Sequence, residues 1–164
     1  MKTNPINFLC VILTVFLTSW SKDSIAQNSK SNEAYKGIEF KMNKVKEPII
    51  PKNTVNIKDF GAVNGGTVLN SKAFADAIAA VSKKGGGKVI IPAGIWLTGP
   101  IILKSNIELH AEAGALIKFS TDKSLYPLVE TSFEGLNTWR CISPIYGKNL
   151  ENISFTGKGV WDGS

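Results

Sequence analysis

Side chains able to exchange protons, attack or grip a substrate are few in this sequence, and they are scattered. Asp76, Glu108, Glu112 and Asp162 are the carboxylates beside apolar runs, and His110 is the single histidine. Two carboxyl groups held at a fixed separation can work as acid and base across a bond, but no spacing here fixes such a pair. Asp76 falls on the polar side of a helical pattern. Glu108 alternates with Ile107 and Leu109 and is expected to point outward. Glu112 follows in a bend at no set distance from it. Asp162 lies in Trp161-Asp162-Gly163, where an Asp-Gly bend is reason enough for it. A lone histidine at a strand edge reads as exposed or hydrogen-bonded rather than as a base. Nucleophile arrangements, metal-ligand spacings and phosphate-binding loops are absent from the sequence.

Residues 120–140 hold the one group suited to gripping a ligand. Phe133, Glu134, Trp139 and Arg140 fall close together there. Aromatic rings stack on flat ligand faces, and a guanidinium grips a carboxylate through two parallel N–H bonds. Glu134, Trp139 and Arg140 are therefore the candidate substrate-binding residues. In the competing reading, Trp139 and Phe133 simply tuck the loop onto the body of the protein. Cys141 has no Cys or His beside it and reads as a buried small hydrophobe. Asn152-Ile153-Ser154 is formally a glycosylation site, but its place in a strand pattern favours a structural role.

The elements that must position these groups are short. Residues 85–109 contain three brief apolar runs, 89–91, 95–97 and 101–103, punctuated by Pro92-Ala93-Gly94 and Gly99-Pro100. Strands this short, without helices between them, predict a chain wound into small coils. A weak repeat supports this. Asn106-Ile107-Glu108-Leu109, a glycine bend and an apolar strand at 115–119 match Asn152-Ile153-Ser154-Phe155, a glycine bend and Val160-Trp161-Asp162. Such repeats mark a solenoid whose coils bury their interiors by stacking, with Asn106 and Asn152 placed to hydrogen-bond between turns. The segment 120–140 interrupts the repeat and is expected to be a loop leaving one coil. Upstream, a strand at 55–58 precedes a helix over 70–83, capped by Asn70 or Ser71. Its apolar positions Phe74, Ala77, Ile78 and Val81 recur at helical spacing, and Gly85-Gly86-Gly87 stops it. This helix is the expected lid on the first coil.

The 164 residues suffice for one domain. Residues 1–26 read as a signal peptide: Lys2, a mostly apolar stretch over 8–17 too short to span a bilayer, and Ser24-Ile25-Ala26 as a cleavage site. Secretion or a periplasmic location is expected, with no stable membrane insertion after cleavage. Cys10 leaves with that leader, so no disulfide is expected within the mature chain. Residues 27–53 read as a polar, lysine-bearing linker, and 54–164 as the folded part. The net charge of +6 comes mostly from lysine, without aromatic interleaving, so a nucleic-acid partner is not expected.

These residues carry a family resemblance. Asp59-Phe60-Gly61-Ala62, Asn70-Ser71 and residues 85–94 resemble the opening of pectin-acting right-handed parallel β-helix proteins. Residues 97–106, Phe119-Ser120 to Tyr126-Pro127, and Gly157 to Gly163 narrow the resemblance to glycoside hydrolase family 28, the polygalacturonases. It covers residues 55–164. One departure is Asn64-Gly65-Gly66, where the family usually has an acidic residue, which leaves the conformation of that loop open.

The resemblance implies an all-β, right-handed parallel β-helix with an α-helical cap, C-terminally incomplete. It also implies an inverting hydrolase of pectic polysaccharide, polygalacturonate-like, which needs no metal or other cofactor. In that mechanism one carboxylic acid protonates the leaving oxygen and a carboxylate activates water on the opposite face. The family carries these groups as aspartates in an Asn-Thr-Asp motif and an Asp-Asp pair, followed by Gly-His-Gly and Arg-x-Lys motifs, and none of these occurs here. They are expected on coils beyond residue 164, so no catalytic residue is assigned and the isolated chain is expected to be inactive. Two alternatives stay open: a non-catalytic β-helix that binds polysaccharide or assembles through its open end, and a pectate lyase. The lyase would need a calcium-binding carboxylate cluster that is not found in the sequence.

Overall fold

The computed structural model describes residues 35–40, 42–43 and 45–163. The expected signal peptide, 1–26, lies outside them. The chain divides into two compact units, Met1–Lys46 and Glu47–Ser164. In the first, the Val45 N–H donates to the Tyr35 hydroxyl at 2.9 Å.

The second unit is a right-handed parallel β-helix. Its strands are β1 (Thr54–Asn56), β2 (Gly87–Ile91), β3 (Gly94–Thr98), β4 (Ile101–Ile102), β5 (Ile107–Ala111), β6 (Ala115–Phe119), β7 (Leu128–Phe133), β8 (Leu136–Cys141), β9 (Ile145–Tyr146), β10 (Ile153–Gly157) and β11 (Val160–Asp162). Three parallel sheets form its sides: β1-β2-β5-β10, β3-β6-β11 and β4-β9. One coil returns the chain from Gly87 to Ile107, and the next from Ile107 to Ile153.

Register makes the core. Val89 stacks on Leu109, Ile91 on Ala111 and Trp96 on Ile117, and all six are buried. Each strand alternates, so the neighbours of these residues face outward. Trp96 keeps its indole N–H satisfied by donating to the Pro92 carbonyl at 2.7 Å. Turns are stitched as the repeat predicts: Asn152 Nδ2 donates to Asn106 Oδ1 at 2.8 Å. Both asparagines adopt positive φ, 62° and 53°, a conformation Asn tolerates better than most residues.

Helix α1 (Ser71–Lys83) buries Ala73, Phe74, Ala77, Ile78 and Val81 against the first coil, as expected of a lid. Its start differs from expectation. Asn70 holds the capping position but does not cap. Its Oδ1 accepts from the Val63 N–H at 2.7 Å, and its Nδ2 reaches the carbonyls of Val68 and Leu97. Ser71 Oγ accepts from the Gly99 N–H at 2.7 Å. Both polar residues therefore fasten the lid to the coil. At the other end Gly86 adopts φ 121° and donates to the Val81 carbonyl, and a Cβ there would collide with the Asn106 carbonyl oxygen.

Three further expectations change. The strand expected at 55–58 stops at Asn56, and Ile57–Phe60 forms a 3-10 turn. Asn56 and Asp59 cap it reciprocally, which overrides the β-propensity of Ile57. The loop that follows is well defined: Asn64 Oδ1 accepts from the Gly65 and Ile95 N–H groups, each at 2.7 Å. The expected loop 120–140 contains an antiparallel hairpin, β7–β8. Glu134 and Gly135, both at positive φ (52° and 83°), make a two-residue turn of the kind that matches strand twist.

Candidate functional site

Two surfaces bear groups able to meet a ligand. The first is the hairpin predicted from sequence. Every residue of β7 and β8 except Val129 and Thr138 is exposed. Trp139 is 65% exposed, so it does not tuck the arm onto the coil. Adjacent residues of a strand face opposite ways. Arg140, paired with Val129, therefore lies on one face and Trp139, paired with Glu130, on the other. The Arg140 guanidinium sits over the Phe133 ring, 4.5 Å from its centroid, a cation–π contact. Glu134 stands at the tip, in the turn. The structure thus brings Arg140 to Phe133 and puts Trp139 on the opposite face. A cleft of about 310 Å³ at the base of the arm is lined by Val129, Thr131, Arg140, Ile142, Ser143 and Tyr146.

Cys141 corrects the sequence reading, because it is exposed. It closes β8 opposite Leu128, before the chain rejoins the coil. The buried anchor is its neighbour Ile142, whose N–H donates to the Pro127 carbonyl at 3.0 Å.

The second surface is the outward face of β2, β5 and β10. Glu108 points outward as expected, but into company. Lys88 Nζ lies 3.0 Å from its Oε1, and the Thr156 hydroxyl is 2.6 Å from the same oxygen. His110 Nδ1 is 2.6 Å from Thr156 Oγ1 and 3.6 Å from that carboxylate oxygen. Burial pushes the Glu108 carboxyl up, but the Thr156 hydroxyl and the Lys88 ammonium outweigh it, and the group rests below its ordinary value. A carboxylate held ionised in this way is suited to orienting neighbours rather than to giving up a proton. His110 is hydrogen-bonded, one of the two fates expected for it.

Lys88 and Thr156 were not singled out from the sequence, although the signal was present. Extending the Asn106/Asn152 repeat along its strands sets Thr156 beside His110, and one coil earlier it sets Lys88 beside Glu108.

Glu112 is exposed in the bend after β5, and three other carboxylates have neighbours of their own. Asp76 pairs with Lys72 at 2.5 Å on the exposed side of α1. Asp122 accepts from the Ser124 hydroxyl and N–H, which lower its pKa, and so caps the 3-10 turn Lys123–Leu125. Asp162 stands next to Lys118 across β11 and β6, beside a cleft of about 680 Å³ that also touches Leu97 and Ser120. Among the described residues no three His, Cys, Asp or Glu side chains come together to hold a metal ion.

No protein-family model matches the chain. Individual proteins do. The chain is 36% identical, over 68% of its length, to a probable polygalacturonase from Vitis vinifera, and spans 24% of that protein. The hyperthermoactive exopolygalacturonase from Thermotoga maritima matches 73% of this chain at 48% identity with a TM-score of 0.69. The chain belongs to glycoside hydrolase family 28. A family 28 exopolygalacturonase from Yersinia enterocolitica agrees, at 34% identity over 68% of this chain and a TM-score of 0.62. Membership accounts for the three-sided coil and its helical lid. The chain spans about a quarter of the length of these relatives, 24%, 27% and 21% respectively.

Proposed function

We propose that this chain is the lid and opening coils of an exported pectin hydrolase of the polygalacturonase type. The observation that supports it most is its likeness to proteins named polygalacturonase, carried on the same stacked coils. In this reading the enzyme inverts at the anomeric carbon, using one carboxylic acid and one carboxylate set far enough apart to admit a water. Those two groups stand on coils outside these 164 residues. Among the described residues Asp59 and Asp122 cap turns, Asp76 pairs with lysine, and Glu108 sits in its own network. Arg140, backed by Phe133, grips a galacturonate carboxylate at the base of the arm, with Trp139 and Glu134 available to neighbouring sugars.

Affinity electrophoresis in gels containing polygalacturonate tests the binding part. Retardation of the chain, absent with an uncharged galactan and reduced in Arg140→Ala, is expected. Equal mobility in both gels contradicts it. A secreted or periplasmic product whose first residue is Gln27, read by mass spectrometry, supports export. A mature protein retaining Met1 contradicts it.

A further inference from the structure

The directions of the hydrogen bonds on the outward face of β5 and β10 follow from chemistry. An ionised carboxylate only accepts, so the single Thr156 hydroxyl proton goes to Glu108 Oε1, 2.6 Å away. Thr156 Oγ1 must then accept from the other partner at 2.6 Å, His110 Nδ1. The imidazole proton of the neutral ring therefore resides on Nδ1, and the lone pair on Nε2. The His110 side chain is 31% exposed. Glu108, by contrast, is only 13% exposed, beneath its two basic neighbours. Lys88 is 37% exposed and gives Glu108 one of its three N–H donors. The patch thus presents an ammonium 3.0 Å from one covered carboxylate oxygen, and an imidazole whose Nδ1 lies 3.6 Å from that oxygen and whose Nε2 carries the lone pair.

We propose that Lys88 and His110 form a subsite for one uronate unit of an acidic polysaccharide, distinct from the hairpin. His110 Nε2 accepts a hydrogen bond from a sugar hydroxyl, and Lys88 donates to the uronate carboxylate. Glu108 and Thr156 are positioning residues: they set the imidazole tautomer and tether the ammonium. The mismatch between an exposed cation and a covered anion selects an acidic sugar over a neutral one. Three strands hold the patch from successive coils, so its geometry is fixed by backbone register rather than by a loop. The proposal rests on the pectic reading for the identity of the polymer.

His110 is the sole histidine, so its ring nitrogens are read without assignment in the ¹⁵N-labelled full chain. Two-bond ¹H–¹⁵N correlation at neutral pH is expected to show a protonated Nδ1 and a lone pair on Nε2. Titration with trigalacturonate is expected to move the Nε2 resonance, while neutral galactotriose moves it little. Lys88→Gln is expected to weaken trigalacturonate binding about tenfold, the scale of one charge-assisted hydrogen bond. Thr156→Val is expected to mix the tautomers and weaken binding several-fold. A proton on Nε2 in the free protein overturns the proposal. So does trigalacturonate binding that leaves His110 unmoved, although the pectic reading then stands. Absence of any trigalacturonate binding overturns the subsite, and it counts against the pectic reading as well if polygalacturonate gels also fail to retard the chain.

Discussion

The outward face of β2, β5 and β10 and the β7–β8 arm carry similar side chains, yet they are built in opposite ways. On the coil, Lys88, Glu108, His110 and Thr156 come from three strands, and each contact crosses from one residue of the register to another. On the arm, β7 pairs only with β8, and Phe133, Leu136 and Trp139 are at least half exposed. A polar group on the coil is therefore a stability element and a positioned one at once. An aromatic on the arm contributes to contact with a ligand and little to the fold. A helical lid is what lets the coil work this way, because without it the interior of the first turn would face water.

The comparison breaks first at the lid. Phe74 is 1% exposed, and Phe74→Asp would bury an unpaired charge at a cost on the order of 4 kcal/mol or more. Loss of the cooperative thermal transition is expected, and a melting curve like that of the parent would remove the lid from the account. Glu108→Gln comes next, at about 1–3 kcal/mol near neutral pH. The folded-state pKa of Glu108 is depressed. Its contribution is therefore full above the ordinary carboxylate value and lost as pH falls through the folded-state value. Stability of parent and variant, followed by denaturant titration, should differ at pH 7 and converge in acid; a gap independent of pH would show that the charge is idle.

Smaller effects sharpen the contrast. Asn152→Ala, which removes a single inter-coil amide bond, should cost about 1 kcal/mol. Thr98 is fully buried and its hydroxyl has no partner among the described residues. Thr98→Val should therefore be neutral or stabilise by up to about 1 kcal/mol. Trp139→Ala on the arm should shift stability by no more than about 0.5 kcal/mol. A cost as large as that of Glu108→Gln would mean that the arm packs on something after all.

The coil was legible in the sequence because its signals are local. Glycine and proline bends, alternating aliphatics and the Asn106/Asn152 repeat each act within a few residues, and together they give strands, register and stacking. The helix was legible from its spacing, but the role of Asn70 was not. Its side chain serves Val63 and Leu97, partners that a capping rule does not consider. The arm was half legible. Phe133, Trp139 and Arg140 stood out as ligand-contacting types, whereas the Glu134-Gly135 turn lacks the Asn-Gly or Asp-Gly signature that announces a hairpin. Without the hairpin, the alternation that divides Trp139 from Arg140, and leaves Cys141 exposed, is invisible. The Lys88 and Thr156 partners of Glu108 are long-range, so only the full register reveals them.

Under the proposed function these coils hold and orient a substrate but do not themselves cleave it. Release of reducing ends from polygalacturonate by the purified, folded chain tests this directly. Release no greater than in buffer alone is expected, at every pH at which the chain stays folded. Sustained release in proportion to the amount of chain, abolished by a substitution within it, would contradict the account and place a reacting pair of groups inside these 164 residues.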